Sequence, residues 1–125
     1  MFITYHKWAE QNGYVRNDNW IDLPDAKRMM RRRDNLLNKE VNKGLTPEEE
    51  KEEESFDDYW MLAFEYGLET VEEVVKFRVN YFMEVAGEGL DSKRKLQMRN
   101  SFEAEVRMKF AELDDFITKK HWNVK

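Results

Sequence analysis

The side chains with the greatest chemical reach in this sequence are cations gathered on one stretch. Lys27, Arg28, Arg31, Arg32, Arg33, Lys39 and Lys43 are opposed locally only by Asp34 and Glu40, so residues 27–43 carry a net charge of +5. Residues three and four apart share one side of a helix. Arg28, Arg31 and Arg32 therefore have the spacing to meet successive phosphates, and each phosphate neutralised would add salt-sensitive affinity. Arg33 falls nearer the apolar positions of the same stretch. An opposite run follows at once: residues 48–58 hold eight acidic side chains and Lys51, a net charge of −7.

Only the turn at Gly44-Leu45 separates the two runs, and helices joined so tightly usually run antiparallel, which would lay glutamates beside arginines. Two candidate binding faces result. The basic one is Lys27, Arg28, Arg31, Arg32, Lys39 and Lys43; the acidic one is Glu48, Glu49, Glu52 and Glu53. Pairing within the chain, pairing between two copies as a homodimer, and docking on a protein partner all satisfy this charge pattern. A protein partner is the first expectation, with nucleic acid bound by the Arg-rich helix 24–43 as the alternative. A helix-turn-helix reading, with residues 4–13 as the first helix, conflicts with a connection of about ten residues where that motif uses three or four.

Catalytic and metal chemistry finds little to work with. The histidines are His6 and His121, and no Glu-x-x-His pair exists, so the di-iron sites of helical bundles lack a ligand set; no metal and no cofactor are expected. No Gly-rich phosphate loop, nucleophile elbow or Ser-His-acid pattern is present. One spacing, Glu69-x-x-Glu72 followed by Glu88-x-x-Asp91, resembles the acidic signature of the MazG-like all-α nucleotide pyrophosphohydrolases. The resemblance covers those four positions and implies magnesium held at nucleotide phosphates. Here Glu69 and Glu72 fall at a helix start, and Glu88 lies between two glycines.

The elements that must position these residues are read from caps and periodicity. Thr4 caps a first helix, which Asn12-Gly13 stops. Residues 14–23 read as an ordered connection anchored by Trp20, Ile21 and Leu23. A second helix starts at Pro24, with Asp22 as its cap, and ends before Gly44; its apolar stripe is Ala26, Met29, Met30, Leu36, Leu37 and Val41. Thr46-Pro47-Glu48-Glu49 is a capping box opening a third helix whose first two turns contain no apolar residue, so that this half must project into solvent or meet a basic partner. Its second half is aromatic: Phe56, Tyr59, Trp60, Phe64 and Tyr66. Thr70-Val71-Glu72-Glu73 opens a fourth helix. Val75, Phe77, Val79, Tyr81, Met83 and Val85 also alternate as a half-buried strand would, leaving a small hairpin between residues 1–8 and 74–85 as the alternative. A final helix is capped at Asp91 or Ser92 and runs to about Lys120.

A chain of 125 residues suits one domain (1–125) with a single core. The absence of cysteine excludes disulfides and thiol chemistry and suits a reducing compartment, and the longest apolar run, Tyr59 to Phe64, cannot span a bilayer. A start lacking a basic-then-apolar leader adds to the expectation of a cytoplasmic protein without membrane association. The expected fold is all-α, a compact bundle of about five helices with a long C-terminal helix. The expected function is non-enzymatic docking of a charge-segregated surface on a macromolecule; small cysteine-free helical chains of this type look like the accessory or inhibitor proteins of phages and mobile elements.

Overall fold

The computed structural model describes residues 3–118. Helix α1 is Tyr5–Gln11, and a single 3₁₀ turn, Trp20–Asp22, precedes α2, Pro24–Asn42. Helix α3 runs continuously through three segments, Pro47–Ser55, a π-helical Phe56–Trp60, and Met61–Tyr66. It is followed by α4, Val71–Ala86, by α5, Ser92–Glu112, and by a short α6, Asp114–Thr118. Among the described residues there is no strand. The hairpin alternative falls with that, since residues 5–8 belong to α1 and residues 74–85 to α4.

Local chemistry sets the helix starts. Thr46 Oγ1 accepts from the Glu49 N–H at 3.1 Å while the Glu49 carboxylate accepts from the Thr46 N–H at 3.1 Å, a reciprocal cap. Thr70 accepts from the Glu73 N–H in the same way. Helix α2 departs from expectation: Leu23, not Asp22, occupies its cap position, with no side-chain bond. Pro24 in the first turn supplies a preset φ and lacks an N–H that would need capping. Helix α3 closes on Gly67 at φ 64°, a conformation that a side chain would strain.

The strand-like alternation in α4 has a helical origin. Val75 and Val79 are one turn apart and belong to the main core with Val74, whereas Phe77 packs in a second cluster with Trp8, Ala9 and Tyr66, and Tyr81 leans against it. Two stripes with four-residue spacing, offset by two, sum to a period of two. The helix is buried on two sides, one against α3, α5 and α6 and the other against α1, where Trp8 meets Phe77 and Tyr81 edge to face at 5.2 and 5.6 Å.

The main core is completed by Met29 from α2, Phe56, Tyr59, Trp60 and Ala63 from α3, Val106 and Phe110 from α5, and Leu113, Phe116 and Ile117. The final helix does not run unbroken: it stops at Glu112, and Leu113, with φ −98° and ψ 9°, turns the chain into α6. The turn lets Leu113, Phe116 and Ile117 all sink into the core, where the Trp60 Nε1–H donates to the Phe116 carbonyl at 3.2 Å. The expected end at Lys120 and His121 lie outside the described residues. Two expected anchors also differ, for Ile21 and Leu23 are exposed while Trp20 packs on the core, and Val41 is 86% exposed. Val41 sits in the last turn of α2, beyond the reach of the core.

Candidate interaction surface

The structure divides the basic helix in two. Arg32 donates to Glu52 through Nε at 2.9 Å and a terminal nitrogen at 3.2 Å, a two-point pairing that also lifts the Arg32 guanidinium pKa above its ordinary value. Lys39 Nζ contacts both Glu49 oxygens at 2.7 and 2.8 Å. With the Thr46 amide bonded to it as well, Lys39 lowers the Glu49 carboxyl to about 2. Arg33 turns inward too, 3.2 Å from Asp57 and over the Phe56 ring at 5.4 Å. Seven-residue spacing puts Arg32 and Lys39 on one line of α2 facing α3.

The apolar-free half of α3 thus meets cations of its own chain. Glu52 is buried despite its charge, with 8% of its side chain exposed, and Ser55 is sealed behind it, its hydroxyl donating to the Glu52 carbonyl. On another side Glu54 meets Lys109 of α5 at 2.6 Å, a partner that the sequence did not suggest. Glu53 lies in the same interface beside Glu40 and Asp57; burial first, and then those like charges, push its carboxyl above the usual range. Its Oε2 and the Arg33 Nε are buried without a hydrogen-bond partner. Of the acidic candidates, Glu48 alone is exposed, as is Glu50 beside it.

The remainder of the basic face points away from α3. Lys27, Arg28, Arg31 and Lys43 are exposed. Arg28 is held by Asp25 of the preceding turn at 2.8 Å. Lys27, Arg28 and Arg31 cluster within two turns, and Leu23, whose carbonyl accepts the Lys27 N–H at 2.9 Å, sits one turn before them. Leu23 and its neighbour Ile21 keep 37% and 46% of their surface in solvent. Lys43, at the far end of α2, is remote from this cluster.

Two carboxylates of the MazG-like spacing have separate local duties. Glu72 is bound at two points by Arg107, at 2.6 and 3.0 Å; Asp91 caps α5 by accepting from the Arg94 N–H at 2.8 Å. Among the described residues no three His, Cys, Asp or Glu side chains come together to hold a metal ion. Sequence reasoning missed Glu65, which is buried in an otherwise apolar run. It accepts from Arg16 at 3.2 Å and Tyr5 at 3.4 Å, while its carbonyl accepts from the Asn17 amide at 2.7 Å, tying α1 and the 14–18 connection to α3. No helix among the described residues is long and apolar enough to cross a membrane. Comparison with protein-family models, curated proteins and solved structures gives no match.

Proposed function

We propose that this chain is a non-enzymatic interaction protein that docks on an acidic protein surface through the outward side of α2. The observation carrying this reading is the division of the basic helix. Arg32, Arg33 and Lys39 are consumed by Glu52, Asp57 and Glu49, whereas Lys27 and Arg31 are exposed beside exposed Leu23 and Ile21. Cations alone would suit any polyanion. Cations bordered by bulky aliphatic side chains suit a protein, because the aliphatic groups gain only where apolar surface covers them. A nucleic-acid backbone offers no such cover, and Asp25 and Asp34 interrupt the cationic patch.

The test is affinity capture followed by cross-linking, comparing the wild-type chain with Lys27→Glu/Arg28→Glu/Arg31→Glu and with Lys76→Glu as a surface control. A partner held by wild type and control but lost from the triple variant supports the reading. A partner held equally by all three overturns it. Salt-sensitive retention of duplex DNA by the wild type, lost in the triple variant without any protein partner, would replace it with the nucleic-acid reading.

A further inference from the structure

Helix α5 is charged against its own dipole. Anions stabilise a helix start and cations its end, and α3 and α4 obey this with Glu48, Glu49 and Glu50 and with Glu72 and Glu73 in their first turns. By contrast, α5 opens on Lys93, Arg94 and Lys95, with no acidic residue in its first turn. Residues 92–99 hold four cations and no anion, whereas residues 103–115 hold five acidic residues against Arg107 and Lys109. Both of those cations are engaged, Arg107 with Glu72 and Glu103, and Lys109 with Glu54. Glu105, Glu112 and Asp114 stay exposed. At the basic end, the Arg94 side chain has only a 3.9 Å contact with Asp91.

The same helix leaves apolar surface uncovered. Leu96 is 59% and Met108 65% exposed, and exposed Asn100, Ala104 and Ala111 lie between and beyond them with short side chains. Leu96 and Met108 stand six residues either side of Phe102, the midpoint of α5. Arg94 and Glu112 are eighteen residues apart, five full turns, and so lie on one edge of the helix.

We propose that this outward face of α5 is a self-association surface on which a second copy of the chain docks antiparallel. A twofold axis near the helix midpoint, level with residue 103, makes the charged edge its own complement. It sets Arg94 against Glu112 of the second copy, twice, along one edge, while exposed Leu96 and Met108, about 120° apart around the helix, add apolar surface on its two flanks. Arg94 and Glu112 then each meet the opposite charge, and the two helix dipoles oppose. A nucleic acid or an acidic protein would suit the basic end but would be repelled by Glu105, Glu112 and Asp114.

Sedimentation and light scattering over a concentration series, with added duplex DNA in a parallel arm, test this. The wild type is expected at twice the protomer mass, with dissociation promoted by salt. Arg94→Glu and Glu112→Lys should each weaken the dimer about tenfold, given exposed ion pairs of up to about 1 kcal/mol counted twice by symmetry, and the double variant Arg94→Glu/Glu112→Lys should regain it. The chain has no cysteine, so single introductions report geometry. Ala104→Cys, near the axis, should oxidise to a disulfide-linked dimer; Lys93→Cys alone should not, while Lys93→Cys/Ala111→Cys should. A monomer at all concentrations, a dimer indifferent to both charge reversals, a Lys93→Cys disulfide, or DNA binding lost on reversing Arg94 would each overturn the proposal.

Discussion

Truncation of Arg32 to alanine should be far more damaging than truncation of its partner Glu52. The Glu52 side chain is 8% exposed and that of Arg32 31%, so Arg32→Ala strands a buried carboxylate, while Glu52→Ala leaves a guanidinium that can turn to water. Stranding one member of a fully buried pair costs about 3–5 kcal/mol. The solvent beside Arg32 reduces that to about 2–3 kcal/mol here, against about 1 kcal/mol for Glu52→Ala. An unfolding entropy near 2.1 cal/mol/K per residue gives about 260 cal/mol/K for this chain, so Arg32→Ala should lower Tm by about 8–12 °C and Glu52→Ala by about 4 °C. The double variant Arg32→Met/Glu52→Leu should fall within about 1 kcal/mol of wild type, since apolar replacement of a buried pair is often neutral. Thermal unfolding followed by circular dichroism at pH 7 reads all three. Equal losses for the two single variants, or a double variant as poor as Arg32→Ala, would refute the claim that burial of Glu52 makes this pair matter.

Acid titration should divide the carboxylates by sign. The folded Glu49 carboxyl lies near 2, below its ordinary 4.5, so its contribution is complete above 4.5 and is lost as pH falls from there towards 2; Lys39→Met should flatten the acid limb of a Tm-versus-pH curve. Glu53 is shifted the other way. Its charged form opposes folding at neutral pH, and the penalty fades as pH falls below its raised value, so Glu53→Gln should raise Tm at pH 7 and match wild type below about pH 4. Glu65→Ala should cost about 1–3 kcal/mol by leaving the Tyr5 hydroxyl and Arg16 without their shared acceptor, and should speed hydrogen exchange at the Asn17 amide well beyond the change at α5. Trp60→Phe should remove the bond to the Phe116 carbonyl, cost about 1 kcal/mol, and raise protease sensitivity near residue 113; unchanged cleavage would show that α6 is held by apolar contact alone.

Helix starts were legible because caps are local. Thr46 and Thr70 need only the residue three positions on to form their bonds, and both form them. The break at Leu113 was not legible, since Phe110, Leu113, Phe116 and Ile117 continue the spacing of an unbroken helix and no glycine or proline marks the bend; only the shape of the core requires it. The strand-like run in α4 left a hairpin open as the alternative for a related reason, as one sequence cannot say how many sides of a helix will be covered. For the candidate surface, charge identified the residues but not their direction. Arg31 and Arg32 are adjacent and chemically equal, yet Arg32 faces Glu52 while Arg31 faces solvent, a distinction fixed by the phase of α2 against α3. The cations at the start of α5 were overlooked because they are dispersed among polar neighbours, and their significance emerges once Arg107 and Lys109 are seen to be committed elsewhere.

The π-helical segment Phe56–Trp60 carries a consequence for how α3 tolerates change. A π turn accommodates one residue more than the α-helical register of its flanks requires, so the two halves of α3 keep the phase they would have in a chain one residue shorter. The half that matches charges with α2 and the half that fills the core are joined by a slack link. Deleting Asp57 should therefore tighten the link without rotating Glu52 away from Arg32 or Ala63 out of the core. A deletion at Glu50 would instead swing the residues before it by about 100° and break the Lys39–Glu49 pair. One surplus residue makes the two halves separately adjustable along a single helix.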